Sequence, residues 1–277
     1  MLKPMFCLVV AFFLVSCSSP EDRILQDNEC VECDLTGFDF SKVGNLKGTD
    51  LTGAIIANTS VGINLDEVIL DRAKVSEVEF SGGSLSDVSF KEATINASRF
   101  SEGRIDRGIF VNSELRDVTL TGYGVFGSEF RGGSLGIKYA DGSEFVDSTF
   151  NNLSIKLDSG GSISINGGTL EEASLDIVGA TSVLLKGVSI KESTIQSQGQ
   201  HARIENVEFA NSPLIINHEV IDLYSINGNQ EILETNASKI NLNDVTALTV
   251  KSSAQLVQNL TVTDSTALNI SPNTFPG

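Results

Sequence analysis

Four cysteines, two histidines and 36 carboxylates are the side chains with which this 277-residue sequence could hold a metal, move protons or attack a substrate. Cys30 and Cys33 form a C-x-x-C pair, a spacing used by disulfides, thiol redox centres and zinc sites. Zinc needs four ligands, and the two histidines, His201 and His218, stand far along the chain. A redox pair wants a strand-to-helix setting and finds the start of a repeat instead, so Cys30 and Cys33 read as a structural disulfide or as two packed thiols. His201 falls where the repeat breaks and reads as a solvated loop residue rather than a general base. With no Trp and three Tyr the chain lacks a sugar-stacking platform, and Tyr123 and Tyr139 read as packing or corner residues. No G-x-G-x-x-G precedes a helix, and there is neither a P-loop lysine nor a nucleophile elbow. The carboxylates do not follow the oxygen-ligand spacing of a calcium loop. The expectation is therefore no catalytic residue, no metal and no cofactor.

Cys17 belongs to a different chemistry. The chain opens with Lys3, an apolar run from Met5 to Val15, and small residues before Cys17. That pattern is an export signal, too short to span a bilayer as a helix. Leu14, Val15, Ser16 and Cys17 resemble the bacterial lipobox, which implies cleavage before Cys17 and a diacylglycerol on its thiol. Ser18 is not Asp, and resemblance to Gram-negative lipoproteins then implies the outer membrane, facing periplasm or cell surface. Residues 1–16 are the signal peptide on this reading, and residues 17–33 are a lipidated N-terminus with a linker and cap. Cleavage leaves 18 Lys plus Arg against 36 Asp plus Glu. A surface so acidic repels nucleic acid and anionic lipid headgroups and favours cations or basic proteins. No second apolar run approaches membrane-spanning length, so the lipid is the expected anchor.

The elements that carry these residues follow from a spacing of five. From Leu65 to Ile155, 19 positions at strict five-residue intervals are all apolar, and Ala140 is the one small residue among them. Two residues before each runs a second column, Ile63 to Leu153, in which 15 of 19 are Gly, Ala, Ser or Val. Helices want apolar spacings of three and four and strands want two, so a period of five means a backbone that turns a corner at every fifth residue. Four such sides close a coil of 20 residues built from strands of two or three residues. Residues 20 apart then stack like rungs of a parallel ladder. One wall should carry Leu70, Phe90, Phe110, Phe130, Phe150, Leu170 and Ile190. The same register sets Asp71 against Lys91, Arg72 against Glu92, Glu79 against Arg99, Asp87 against Arg107 and Glu171 against Lys191. Glu67 above Asp87 and Glu172 above Glu192 are like-charged exceptions.

The stretches CVECDLTGFDF and GTDLTGA resemble the pentapeptide-repeat family, whose unit is A(D/N)LXX. Asp34 with Leu35, Asp39 with Phe40, and Asp50 with Leu51 match the polar and apolar positions, and Ala54 matches the small one. Leu25 through Leu35 also resemble the C-x-x-C start of exported members. The resemblance implies an all-β fold, a right-handed quadrilateral parallel β-helix. From residue 65 onward Ala and Asp give way to Gly, Ser, Val and charged residues while the inward spacing persists.

The frame slips by one residue near Val43, recovers at Leu65, is interrupted at Gly160, and is lost at residues 196–200 before it returns with Ile204, Phe209 and Leu214. Residues 34–216 are thus read as the repeat β-helix, and residues 217–277 as degenerate coils of the same solenoid. A 20-residue echo supports the latter, since INLNDVTALTV from Ile240 aligns with LTVTDSTALNI from Leu260. At the N-terminal end Ile24 and Leu25 should cover the first coil. At the C-terminal end Pro272 and Pro276 discourage end-to-end growth yet leave room for a homodimer made through those coils. The functional expectation is a non-enzymatic, lipid-anchored acidic module of the cell envelope that meets an unidentified protein partner and no nucleic acid. Two alternatives accompany it: the resemblance to acidic pentapeptide-repeat proteins implies a DNA-mimicking, topoisomerase-interacting protein if the chain is cytoplasmic, and the second is a β-helix enzyme acting on polysaccharide.

Overall fold

The computed structural model describes residues 18–271, apart from 102, 122–123, 140–141, 159–160, 253–258, 264 and 266–268. The strands join one sheet through parallel pairings between successive coils, a β-solenoid of about 20 residues per turn. One column of partners runs Glu29, Asp50, Ile69, Ser89, Ile109, Glu129, Thr149, Thr169, Ser189, Glu208, Asn227 and Thr246 without a gap. The offset is 20 through the middle. It is 21 then 19 at the first two steps, where a 3-10 turn at Phe40–Lys42 takes up one residue and Asp39 caps the Ser41 N–H at 3.1 Å. This turn is the slip near Val43.

The second break has a different origin. Val178 pairs with Gln198 but Ala180 pairs with Gly199, so Gly179, at φ +74°, is an extra residue in its strand, and the offset stays at 19 through Val220–Lys239 before it returns to 20 at Lys239–Asn259. Residues 196–200 themselves stay in a continuous strand, Thr194–Glu205. The central coils use three-residue strands, such as Thr94–Asn96 and Arg99–Ser101, as the spacing predicts. Past residue 174 the strands run on around corners, as in Ser174–Lys186, Leu214–Thr235 and Lys239–Ser252. Inward residues there alternate by two, Leu175 with Ile177 and Leu214 with Ile216, so the backbone stays extended for longer. Leu214–Thr235 passes through residue 217 without interruption, and Ile240 pairs with Leu260 and Val250 with Ile270.

Both inward columns are buried. On the large one, Phe90, Phe110, Phe130 and Phe150 stack with ring centroids 5.0, 4.6 and 5.1 Å apart, and Leu170 and Ile190 continue the wall. Each such side chain contributes roughly 1.5–3 kcal/mol by leaving water, before its ordering entropy is subtracted. On the small column Ser98, Ser128, Ser148 and Ser193 are buried, and each hydroxyl donates to the carbonyl two residues earlier. The same oxygens accept N–H groups from the coil before, Val78 at 3.2 Å, Gly108 at 3.0 Å, Ser128 at 3.4 Å and Ala173 at 3.0 Å. A corner N–H turned away from the sheet ladder is satisfied this way, which explains serine at an inward position. Gly133 and Gly168 stand in that column where neighbouring coils leave no room for a side chain; a Cβ on either would lie 2.1 Å from the carbonyl oxygen of Ser113 or Ser148.

Corners are closed by the N–H three residues on, which donates to the inward residue's carbonyl, as Ala73 does to Leu70 and Ala93 to Phe90. The third residue of each such turn takes positive φ, +59° at Arg72 and +57° at Glu92. Gly82, Gly132 and Gly167 fill equivalent corners, while Gly160 lies outside the described residues. In the early coils Asp34 and Asp50 accept the N–H two residues on, from Thr36 and Thr52 at 3.0 and 2.9 Å. That bond gives the Asp–Leu pairs of the sequence their purpose, since the carboxylate holds the turn that follows the buried leucine. Because a left-handed corner costs a side-chain-bearing residue about 1–2 kcal/mol, Arg72→Gly is expected to raise stability by about 0.5–1 kcal/mol net of chain entropy. A urea midpoint that stays level or drops would show that this corner carries no strain.

The register sets Glu79 against Arg99 and Glu171 against Lys191 as expected, but facing residues seldom close as ion pairs. Of the five predicted couples, Asp87 with Arg107 closes as a two-pronged bond at 2.8 and 2.6 Å, and among the described residues the other four form no ion pair. Asp71 instead accepts the Lys91 N–H and the Ser89 hydroxyl. Several arginines reach the acidic residue two positions away on their own strand, as in Arg104–Asp106, Arg116–Glu114 and Arg131–Glu129. Residues i and i+2 share a face, so this choice needs no change of coil. The like-charged Glu67 and Asp87 are each matched outward, to Lys47 at 3.1 Å and to Arg107. At the N-terminal end a short helix begins at Pro20, with Ser19 and Asp22 capping each other's N–H groups. Ile24 is buried on the first coil, whereas Leu25 is 56% exposed, contrary to its expected place over that coil. Pro272 and Pro276 lie outside the described residues.

Candidate functional site

Cys17, the expected lipid attachment point, and the signal at 1–16 lie outside the described residues. Cys30 and Cys33 are joined by a disulfide with their Cα atoms 5.3 Å apart. Both sulfurs are buried between the capping helix and the first coil, and the Arg23 guanidinium donates to the Cys33 sulfur at 3.2 Å. The bridge spans the first corner of the solenoid, where the Cys33 N–H also donates to the Cys30 carbonyl at 3.2 Å.

The histidines come together where the coil length changes. His201 lies in the strand Thr194–Glu205, not in a loop, and its Nε2 is 2.8 Å from the Asp222 carboxylate. The other Asp222 oxygen accepts the Asn241 amide at 2.5 Å. His218 is 1% exposed, and its Nε2 meets the Ser197 hydroxyl at 2.7 Å while Nδ1 has no partner. Burial pushes the His218 imidazole down to about 4, and the charge of His201 adds to the effect. The four side chains do not form a hydrolytic triad. A triad needs one imidazole between a hydroxyl and a carboxylate, whereas here the hydroxyl serves His218 and the carboxylate serves His201. Ser197 is also buried at 4% exposure, away from any substrate.

Sequence reasoning missed both contacts. The signal was the one-residue shortening of the coil, which puts Leu214, Ile216 and His218 on one inward parity and sets Asp222 one coil beyond His201 and two residues along. Among the described residues no group of three or more His, Cys, Asp or Glu is placed to hold a metal ion, and no helix is long and apolar enough to cross a membrane. Tyr123 and the side chain of Tyr139 lie outside the described residues. Tyr224 carries the Arg203 guanidinium 4.7 Å above its ring. Arg203 also holds Glu205 below the usual carboxylate range by a side-chain hydrogen bond, and Arg107 does the same for Asp87. The described surface is thus a lattice of outward charges and hydroxyls on a regular frame.

No family model matches the sequence, and no curated protein does either. Solved structures do overlay on it. HetL, a pentapeptide-repeat protein involved in heterocyst differentiation regulation from the cyanobacterium Nostoc sp. strain PCC 7120, is similar over 88% of this chain and 85% of its own, at 13% identity and a TM-score of 0.30. QnrB1, a plasmid-mediated fluoroquinolone resistance protein, is similar over 73% of this chain and 90% of its own, at 13% identity and a TM-score of 0.26. Overlays at these scores do not bear on function, and the architecture stands on the chain's own register.

Proposed function

We propose that this chain is a non-enzymatic β-helical module of pentapeptide-repeat type, held to a cell-envelope membrane by a lipid on Cys17, that presents an acidic prism to a protein partner. The observation that carries the reading is the unbroken twelve-rung column from Glu29 to Thr246, which turns nearly every side chain either into the core or onto one of four regular faces. Excess negative charge, 36 Asp plus Glu against 19 Lys plus Arg, then suits a basic protein and opposes nucleic acid. The ordered cap begins at Ser19, two residues after Cys17, so an anchored solenoid would stand close to its membrane.

The test is intact mass and fractionation in a Gram-negative host, for the wild type beside Cys17→Ala. Acyl mass and flotation with outer membranes, both lost in the variant, are expected. If the wild type stays in the cytosol without acyl mass, the anchored reading falls, and topoisomerase protection becomes the assay for a cytoplasmic role.

A further inference from the structure

The bulge at Gly179 leaves its mark on the surface. Beside it the wall opens into a cleft of about 460 Å³, lined by residues of four successive coils from Val178 to Ser238. Val178 pairs with Gln198 and Gln198 with Asn217, and Asn236 follows 19 residues later, at the offset of the neighbouring Val220–Lys239 pair. Val178, Gln198, Asn217 and Asn236 therefore stand one above another along the axis, about 4.8 Å per rung. Among the described residues none of the three amide side chains has a hydrogen-bond partner. Behind the row lies Gly199, where a Cβ would meet the Ala180 carbonyl at 1.9 Å, and then His218 with its unpartnered, buried Nδ1. Glu219 supplies one exposed carboxylate, and no cation lines the cleft.

We propose that this cleft binds a neutral, polyhydroxylated chain, a glycan of a few sugar units laid along the solenoid axis. Each free amide offers two donors and an acceptor, the complement of neighbouring hydroxyl groups. Their regular pitch is close to the length of one sugar ring, so successive units meet equivalent groups. Val178, 38% exposed at one end of the row, gives an apolar patch for a sugar's C–H face. Other occupants fit less well. A phosphate- or carboxylate-bearing polymer would face Glu219 with no cation to receive it, and an extended peptide repeats at about 3.3 Å per residue, out of step with the rungs. The inference concerns binding, not turnover, and stands independently of the lipid anchor.

Titration of the full chain with chitotetraose and with cellotetraose, by calorimetry or saturation-transfer NMR, tests it beside Asn217→Ala/Asn236→Ala and, separately, Gln198→Ala. Saturable binding of either probe is expected, weakened at least about tenfold in the double variant, with an unchanged thermal midpoint because these side chains hold no other part of the protein. Absence of saturable binding to both probes at millimolar concentration, or binding that all the variants retain, overturns the proposal.

Discussion

Phe110→Ala should lower the stability of the solenoid by about 3–5 kcal/mol, the range for emptying a large buried aromatic site. Phe110 is 2% exposed and lies between Phe90 and Phe130, with centroids at 5.0 and 4.6 Å and ring planes within 14° and 7° of parallel. Truncation removes its transfer energy, leaves a cavity that the ladder spacing on either side holds open, and breaks two ring contacts worth about 0.5–1.5 kcal/mol each. Phe110→Leu should cost clearly less, because the same wall already accepts Leu70 and Leu170, each fully buried. Guanidinium denaturation followed by far-UV circular dichroism would decide it. A cost near 1 kcal/mol for the alanine variant, or equal costs for alanine and leucine, would mean that the coils collapse onto the gap and that the phenylalanine stack is not a principal source of stability. Coils contact only their neighbours, so the transition should also broaden if the chain comes apart at the weakened level.

Acid should destabilise the protein through His218. Its folded pKa is depressed to about 4 by burial first and by His201 second, while an unfolded histidine titrates near 6.5. Between those values the unfolded chain takes up a proton that the folded chain refuses. The stabilising contribution is therefore complete above about pH 6.5 and is lost as pH falls to about 4, a total of about 3 kcal/mol. The charged groups facing the ring are His201 on the paired strand, with Asp222 behind it, and Glu219 beside it on its own strand. His218→Gln keeps a polar partner for Ser197 and removes the titration. Denaturation midpoints at pH 7 and pH 4.5 should thus converge in that variant relative to the wild type, with carboxylate effects common to both. Parallel curves for the two proteins would show that His218 reaches solvent before it protonates.

The sequence by itself determined the repeating frame. A solenoid coil touches only the coils above and below, so every inward position must be satisfied locally, and the five-residue spacing of Leu65 to Ile155 is a direct record of which side chains leave water. The wall of Phe90, Phe110, Phe130 and Phe150, the one-residue slip near Val43 and the echo of Ile240 in Leu260 are legible for that reason. Tertiary structure alone decided the contacts of long and polar side chains. Arg104 and Arg131 each take the carboxylate two residues away on their own strand, Asp106 and Glu129, whereas Arg107 takes Asp87 one coil away, and rotamer and local backbone choose between the two modes. The same holds for His201 and His218, whose partners Asp222 and Ser197 sit 21 residues away, two beyond the 19-residue register of their paired strands. A change of one residue in 20 is invisible as composition, yet it moves every later inward residue off the earlier count while inward still pairs with inward, as Leu185 with Ile204, and a cleft lies beside Gly179.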